Sequence, residues 1–131
     1  MNSAKLYTLA NGLRLVLVPC EAESAAVGVF VASGSRHETA KTAGISHFIE
    51  HMLFKGTPTR KPIDITRAIE GRGGNFNAMT GEEATCYFAH LPDDYLGEGT
   101  YRPLMQVIEG NARFAYDFIR KNFNGVSTCV P

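Results

Sequence analysis

The sequence predicts an α+β fold, a mainly antiparallel sheet with helices packed on one face. Three observations predict it: a hairpin signature close to the start, one strongly amphipathic helical segment in the middle, and two strand-like segments after it. Read in order, the segments run β-β-β-α-α-β-β. The helices therefore sit together between strands instead of alternating with them, which separates this pattern from an α/β one.

Leu6-Tyr7-Thr8-Leu9 and Leu13 to Val18 flank Asn11-Gly12. Asn-Gly supplies the positive φ angles of a tight turn, so the stretch reads as a hairpin with Leu13, Leu15 and Leu17 facing one way. Pro19 cannot donate to a strand ladder and stops the second strand. Ala26 to Ala32 is apolar on both faces, the pattern of an interior strand. Gly34-Ser35-Arg36 then turns the chain.

From Thr42 to Lys55 the periodicity becomes helical. Ile45, Phe48, Ile49, Met52 and Leu53 follow the i, i+3, i+4, i+7, i+8 spacing of a single apolar stripe. His47, Glu50, His51 and Phe54 fall on the opposite side at 100° per residue. Gly56, just past Lys55, is placed to cap the helix. After Pro58 and Pro62, Ile63 to Glu70 forms a short second helix ending at Gly71. Asn75 to Thr80 and Ala84 to Leu91 read as two strands joined through Gly81-Glu82-Glu83. Beyond Leu96 the character changes. Leu104, Ile108, Ala112, Ala115 and Ile119 share a helical face that Gly110 weakens, and the rest to Pro131 reads as a loose tail.

The chain has 131 residues, the size of one compact domain able to bury roughly two-thirds of its unfolded surface. Apolar residues make up 44% and charged residues 20%, a balance that argues against wholesale disorder. Thirteen basic residues match thirteen acidic ones, so the chain lacks the electrostatic footprint of a general nucleic-acid binder. No apolar run reaches the roughly 18 residues of a membrane span, and the start lacks the apolar stretch and cleavage site of a secretory signal. Cys20, Cys86 and Cys129 are odd in number and lack C-x-x-C spacing, so reduced thiols in an intracellular protein are expected.

His47-Phe48-Ile49-Glu50-His51 carries the chemistry. Histidines four apart project from successive helical turns with Cβ atoms about 5–6 Å apart, and their ring nitrogens can converge on one zinc ion at about 2.0–2.1 Å. Glu50 shares that side and can serve a water next to the metal as general base. This H-x-x-E-H order reverses the commoner H-E-x-x-H and leads to the same chemistry. Helical histidines four apart also occur as solvated surface residues, but the triplet's place opposite an apolar stripe favours the metal. His37 in a polar turn and His90 at a strand end are read as solvated or structural. Glu82 and Glu83 are read as solvated loop acids.

The run Gly44-Ile45-Ser46-His47-Phe48-Ile49-Glu50-His51-Met52-Leu53-Phe54-Lys55-Gly56-Thr57 resembles the signature of the pitrilysin/insulinase family of inverted zincins, which includes mitochondrial processing peptidases and smaller bacterial processing proteases. The likeness extends upstream through Asn11-Gly12-Leu13 and Gly34-Ser35-Arg36-His37-Glu38. Downstream it takes in Gly73-Gly74-Asn75-Phe76-Asn77-Ala78-Met79-Thr80, Glu83, Thr85 and Tyr87. Linked motifs of this kind are far more specific than one five-residue match. The resemblance implies a zinc metalloendopeptidase for peptide or unfolded-protein substrates, with His47 and His51 as ligands and Glu50 as base. It also implies that Gly74, Asn75, Phe76, Asn77 and Ala78 belong to an edge strand that pairs with an extended substrate. Gly73 and Gly74 read equally well as a turn.

The resemblance covers about Leu6 to Leu96, giving a peptidase portion over 1–96 and a divergent tail over 97–131. A catalytic zinc needs three protein ligands, and the family's third is a glutamate some seventy-six residues past the second histidine. Here that spacing lands on Ser127 and Thr128, and no Glu follows Glu109. The family's second, substrate-holding half is missing as well. The expectation is therefore a truncated peptidase half-domain, with activity of the chain alone left open and a companion chain completing the clamshell. A non-catalytic binding module or partner subunit is the alternative. Bacterial cytoplasm and mitochondrial matrix both fit.

Overall fold

The computed structural model of the protein describes residues 3–10 and 12–92. Asn11, Cys129, the helical face from Leu104 to Ile119 and the 97–131 segment lie outside the described residues.

Two strands, β1 (Lys5–Thr8) and β2 (Arg14–Leu17), form an antiparallel hairpin with Lys5 opposite Leu17 and Thr8 opposite Arg14. Its connection is tight, as expected: Leu9 N–H reaches Leu13 O at 2.8 Å, Gly12 N–H reaches Leu9 O at 2.9 Å, and Gly12 has φ 85°. Of the three leucines expected to share a face, Leu15 is half-buried while Leu13 and Leu17 are exposed.

A second, three-stranded sheet holds the rest, ordered β3 (Ser24–Val31), β5 (Thr85–Pro92), β4 (Asn75–Thr80), antiparallel throughout. The central strand is β5, and its Tyr87, Ala89 and Leu91 are buried. The expectation of an interior strand at Ala26 to Ala32 is corrected: among the described residues β3 lies at the sheet edge. Ala25, Val27, Val29 and Val31 turn inward, whereas Phe30 on the other face is 76% exposed. Its continuous apolar run reflects small and β-branched residues on a half-covered strand, not two packed faces.

Helices α1 (Ile45–Leu53) and α2 (Pro62–Ile69) both pack on the face that carries Phe76, Ala78 and Thr80. Pro at the first position of α2 suits a site whose N–H would be unpaired anyway. Asp64 Oδ2 accepts from Lys61 N–H at 3.1 Å and closes that end. The helix continues as a 3-10 turn over Glu70–Arg72, two residues past the Gly71 stop expected from sequence, and Gly73 ends it. Ile65 and Ile69 face the sheet with 1% exposure each, and Ile69 meets Ala89 and Leu91 in the core. Burying one such side chain stabilises the fold by about 1.5–3 kcal/mol. Gly74 passes so close to its own chain that a Cβ would lie 2.6 Å from Leu91 Cδ2 and 2.7 Å from His90 O.

Candidate active site

The backbone at Gly44 has φ 86° and ψ 0°, left-handed geometry that favours glycine. A glycine there has no side chain to cap α1, so another residue must satisfy the free N–H groups of its first turn. Glu38 does so. Its Oε2 accepts from Gly44 N–H at 2.6 Å and its Oε1 from Ser46 N–H at 2.9 Å. The Ser46 N–H, opposed by partial burial and helped by Gly44 N–H, holds the Glu38 carboxyl below its ordinary value. Thr39 and Thr42 tighten the approach, with Thr39 N–H donating to Thr42 Oγ1 at 2.8 Å.

One turn into the helix, His47 Nε2 and His51 Nε2 stand 2.9 Å apart, with ring centroids 4.5 Å apart. Both side chains are exposed. Glu50 differs from the sequence expectation. It leans towards the sheet, half-buried, where Thr80 Oγ1 donates to its Oε2 at 2.5 Å. Phe54 leans the same way and stacks on Phe76 with centroids 5.0 Å apart. Phe48, from the apolar stripe, is 43% exposed instead. The helix is thus rotated so that Leu53 and Ser46 are buried, because its contact with β4 runs along the Glu50 and Phe54 side. Burial, and secondarily the Glu50 charge, push the Tyr87 phenol well above its usual value.

A cleft of about 520 Å³ opens here, lined by Glu38, Gly44, His47, Glu50, Thr80 and Glu82 among others. Its far wall is the meeting of two loops. Ser35 N–H donates to Gly81 O at 3.2 Å and Arg36 N–H to Glu82 O at 2.9 Å, while a Cβ on Gly34 would sit 2.4 Å from Gly81 O. The Arg36 guanidinium pairs with Glu83 and, at 3.7 Å, with Glu82. Both acids are exposed loop residues, as read from the sequence, and meet Arg36 at the surface. Across the strands Thr85 Oγ1 ties to Ser33 O at 2.8 Å.

The spacing of the two imidazole nitrogens is compatible with one divalent cation. Two imidazole nitrogens bound at about 2.0–2.1 Å in a tetrahedral site lie roughly 3.3 Å apart, and the observed 2.9 Å needs only a small ring adjustment to match. Among the described residues no group of three His, Cys, Asp or Glu is placed to hold a metal. The predicted strand residues divide. Phe76 and Ala78 are half-buried towards the helices, Asn75 and Asn77 point outward, and Gly74 lies at the end of β4 away from the cleft. Sequence reasoning gave Glu38 no place in the site and counted Thr80 only as the end of the Asn75 to Thr80 strand, with no link to Glu50. An acid six residues before a helix that opens on glycine was the available signal for Glu38. Nothing local marked Thr80, whose partner is thirty residues away.

An antiparallel sheet bearing an H-x-x-E-H helix on one face is the build of an inverted zincin. The chain belongs to the insulinase (peptidase M16) family, whose model matches residues 15–109. It is 53% identical over 85 residues to an uncharacterized zinc protease of Mycobacterium tuberculosis, covering 64% of this chain and 19% of that protein. It is 47% identical over 92 residues to the Bacillus subtilis zinc protease YmxG, covering 70% of this chain and 22% of the relative. With the beta subunit of the mitochondrial-processing peptidase of Dictyostelium discoideum it shares 45% identity over 91 residues, 69% of this chain and 19% of the subunit. The crystal structure of a Helicobacter pylori protease superposes with a TM-score of 0.67 at 29% identity, covering 86% of this chain and 31% of that one. The chain therefore spans about a fifth of the length of these curated relatives. No helix among the described residues is long and apolar enough to cross a membrane.

Proposed function

We propose that this chain carries the metal-helix part of a zinc metalloendopeptidase that hydrolyses peptides or unfolded, presequence-like protein segments. The observation that carries the reading is the 2.9 Å approach of His47 Nε2 to His51 Nε2, with His47 and Glu50 lining one cleft. Zinc, when bound, supplies a Lewis acid that polarises a peptide carbonyl and acidifies water. His47 and His51 would hold it. Glu50 accepts a proton from the attacking water and delivers it to the leaving amine nitrogen. Gly74, Asn75, Phe76, Asn77 and Ala78 offer backbone groups to an extended peptide, because β4 has β5 on one side and, among the described residues, no strand on the other.

The third protein ligand comes, in this reading, from outside the described residues, and a companion chain is the proposed source. Residues 1–96 form the peptidase portion and 97–131 a divergent segment, with the family match reaching residue 109. Free Cys20 and Cys86 support a reducing compartment, bacterial cytoplasm or mitochondrial matrix. A second reading, a non-catalytic binding module or partner subunit that uses the open edge of β4, is favoured by the lack of a third ligating group among the described residues.

Zinc stoichiometry and fluorogenic peptide hydrolysis, measured on the parent and on Glu50→Gln, separate the two. One zinc per chain in both proteins, with parent hydrolysis falling about 10²–10⁴-fold in the variant, supports the peptidase. Tight zinc without turnover supports the binding module. A variant that cleaves as fast as its parent removes Glu50 from the role of base.

A further inference from the structure

We propose that Thr80 is a positioning residue for Glu50, its hydroxyl aiming the carboxylate into the cleft; this rests on the reading of Glu50 as base. Thr80 is the last residue of β4, and Glu50 lies in the second turn of α1. The Thr80 Oγ1 donates to Glu50 Oε2 at 2.5 Å, and both side chains are half-buried against the cleft. A glutamate on a helix has three side-chain torsions and samples many rotamers unless something fixes it. A hydrogen bond from a hydroxyl fixed on the sheet removes much of that freedom. It occupies Oε2 of the carboxylate and leaves Oε1 out of the contact.

The neighbouring threonine shows that this use is particular. Thr85 pairs directly with Thr80 across the two strands, yet its hydroxyl goes to the main-chain carbonyl of Ser33 at 2.8 Å. One hydroxyl fastens backbone to backbone, while the other reaches across the fold to a carboxylate that lines the cleft. Because Thr80 also ends the proposed peptide-pairing strand, a single residue links the register of that strand to the aim of the base.

The test compares Thr80→Val, which keeps the β-branched shape, with Thr80→Ser, which keeps the hydroxyl, in the full chain. The first readout needs no turnover: the ¹³C resonance of the Glu50 carboxylate, assigned by its loss in Glu50→Gln. It should move in Thr80→Val and return in Thr80→Ser, with zinc affinity unchanged in both. In the peptide assay kcat should fall roughly tenfold in Thr80→Val with KM unchanged, as for loss of a transition-state interaction, and Thr80→Ser should restore it. An unmoved resonance overturns the proposal, as does parental kcat in Thr80→Val or a serine variant as impaired as the valine one. If the parent shows no turnover, the resonance alone decides. Parental activity in Glu50→Gln sinks the reading of the base instead, so the two failures are distinguishable.

Discussion

Removing the Glu38 carboxylate should loosen the helix that carries both histidines. Glu38 supplies two charge-assisted hydrogen bonds, at 2.6 and 2.9 Å, to the opening turn of α1, which has no cap of its own. Hydrogen bonds to a charged group contribute about 1.5–3 kcal/mol when well shielded, and loss of a helix cap costs about 0.5–2 kcal/mol. Glu38 is only half-buried, so solvent screening places Glu38→Ala towards the lower end, about 1–2 kcal/mol. For a domain near this size that corresponds to a melting point lower by roughly 4–7 °C. Glu38→Gln keeps one neutral acceptor and should fall between. The pH dependence has a definite sign. Because the folded carboxyl titrates below the ordinary value of 4.5, its contribution is fully present above that value and disappears as pH falls through the lower folded one. Thermal unfolding followed by circular dichroism, near neutral pH and in a series descending below pH ~4, measures both. Equal melting points near neutrality refute the capping argument. A gap that persists undiminished in acid refutes the assignment of the effect to the ionised carboxylate.

Two further outcomes concern the core. Ile65→Ala leaves a cavity at a site 1% exposed and should destabilise the fold by about 2–5 kcal/mol in a denaturant titration; a loss under ~1 kcal/mol would mean that α2 collapses onto the sheet. Gly74→Ala would push a Cβ against Leu91 and the carbonyls of His90 and Ile69, at 2.6, 2.7 and 2.9 Å, and should cost about 1–3 kcal/mol. Gly71→Ala is the control. Its nearest neighbour would be Arg67 Cβ at 3.9 Å, so it should be neutral or stabilise by roughly 0.5 kcal/mol.

Much of this architecture is legible in the residues because local signals and global packing agree. The stripe through Ile45, Ile49, Met52 and Leu53 calls for a helix that buries one side, and Leu53 is 2% exposed. Asn75 to Thr80 alternates outward and inward as a half-covered strand must. The misreadings arise where distant chain decides. Nothing near Ala26 to Ala32 reveals that β3 lies at an edge among the described residues, because a strand's neighbours are chosen by the fold. Likewise the 100° rule places His47, Glu50 and His51 on one side but cannot say how the helix is rolled against β4. That roll sends Glu50 to Thr80 and leaves both histidines exposed, with His47 at the cleft. The approach of His47 to His51 follows from i, i+4 spacing alone, so this pair was readable without a fold, whereas Glu38, Arg36 and Thr80 act across loops and strands.

The junction of the 34–36 and 81–82 loops bears on how such a cleft can change. One side of it is two main chains touching, with Gly34 already pressed against Gly81 O and no side chain between them. Replacing Ser35 or Glu82 can alter the polarity of that side, but it cannot widen the gap, since there is nothing there to shorten. Substitution on that side therefore changes its charge while leaving its position unmoved.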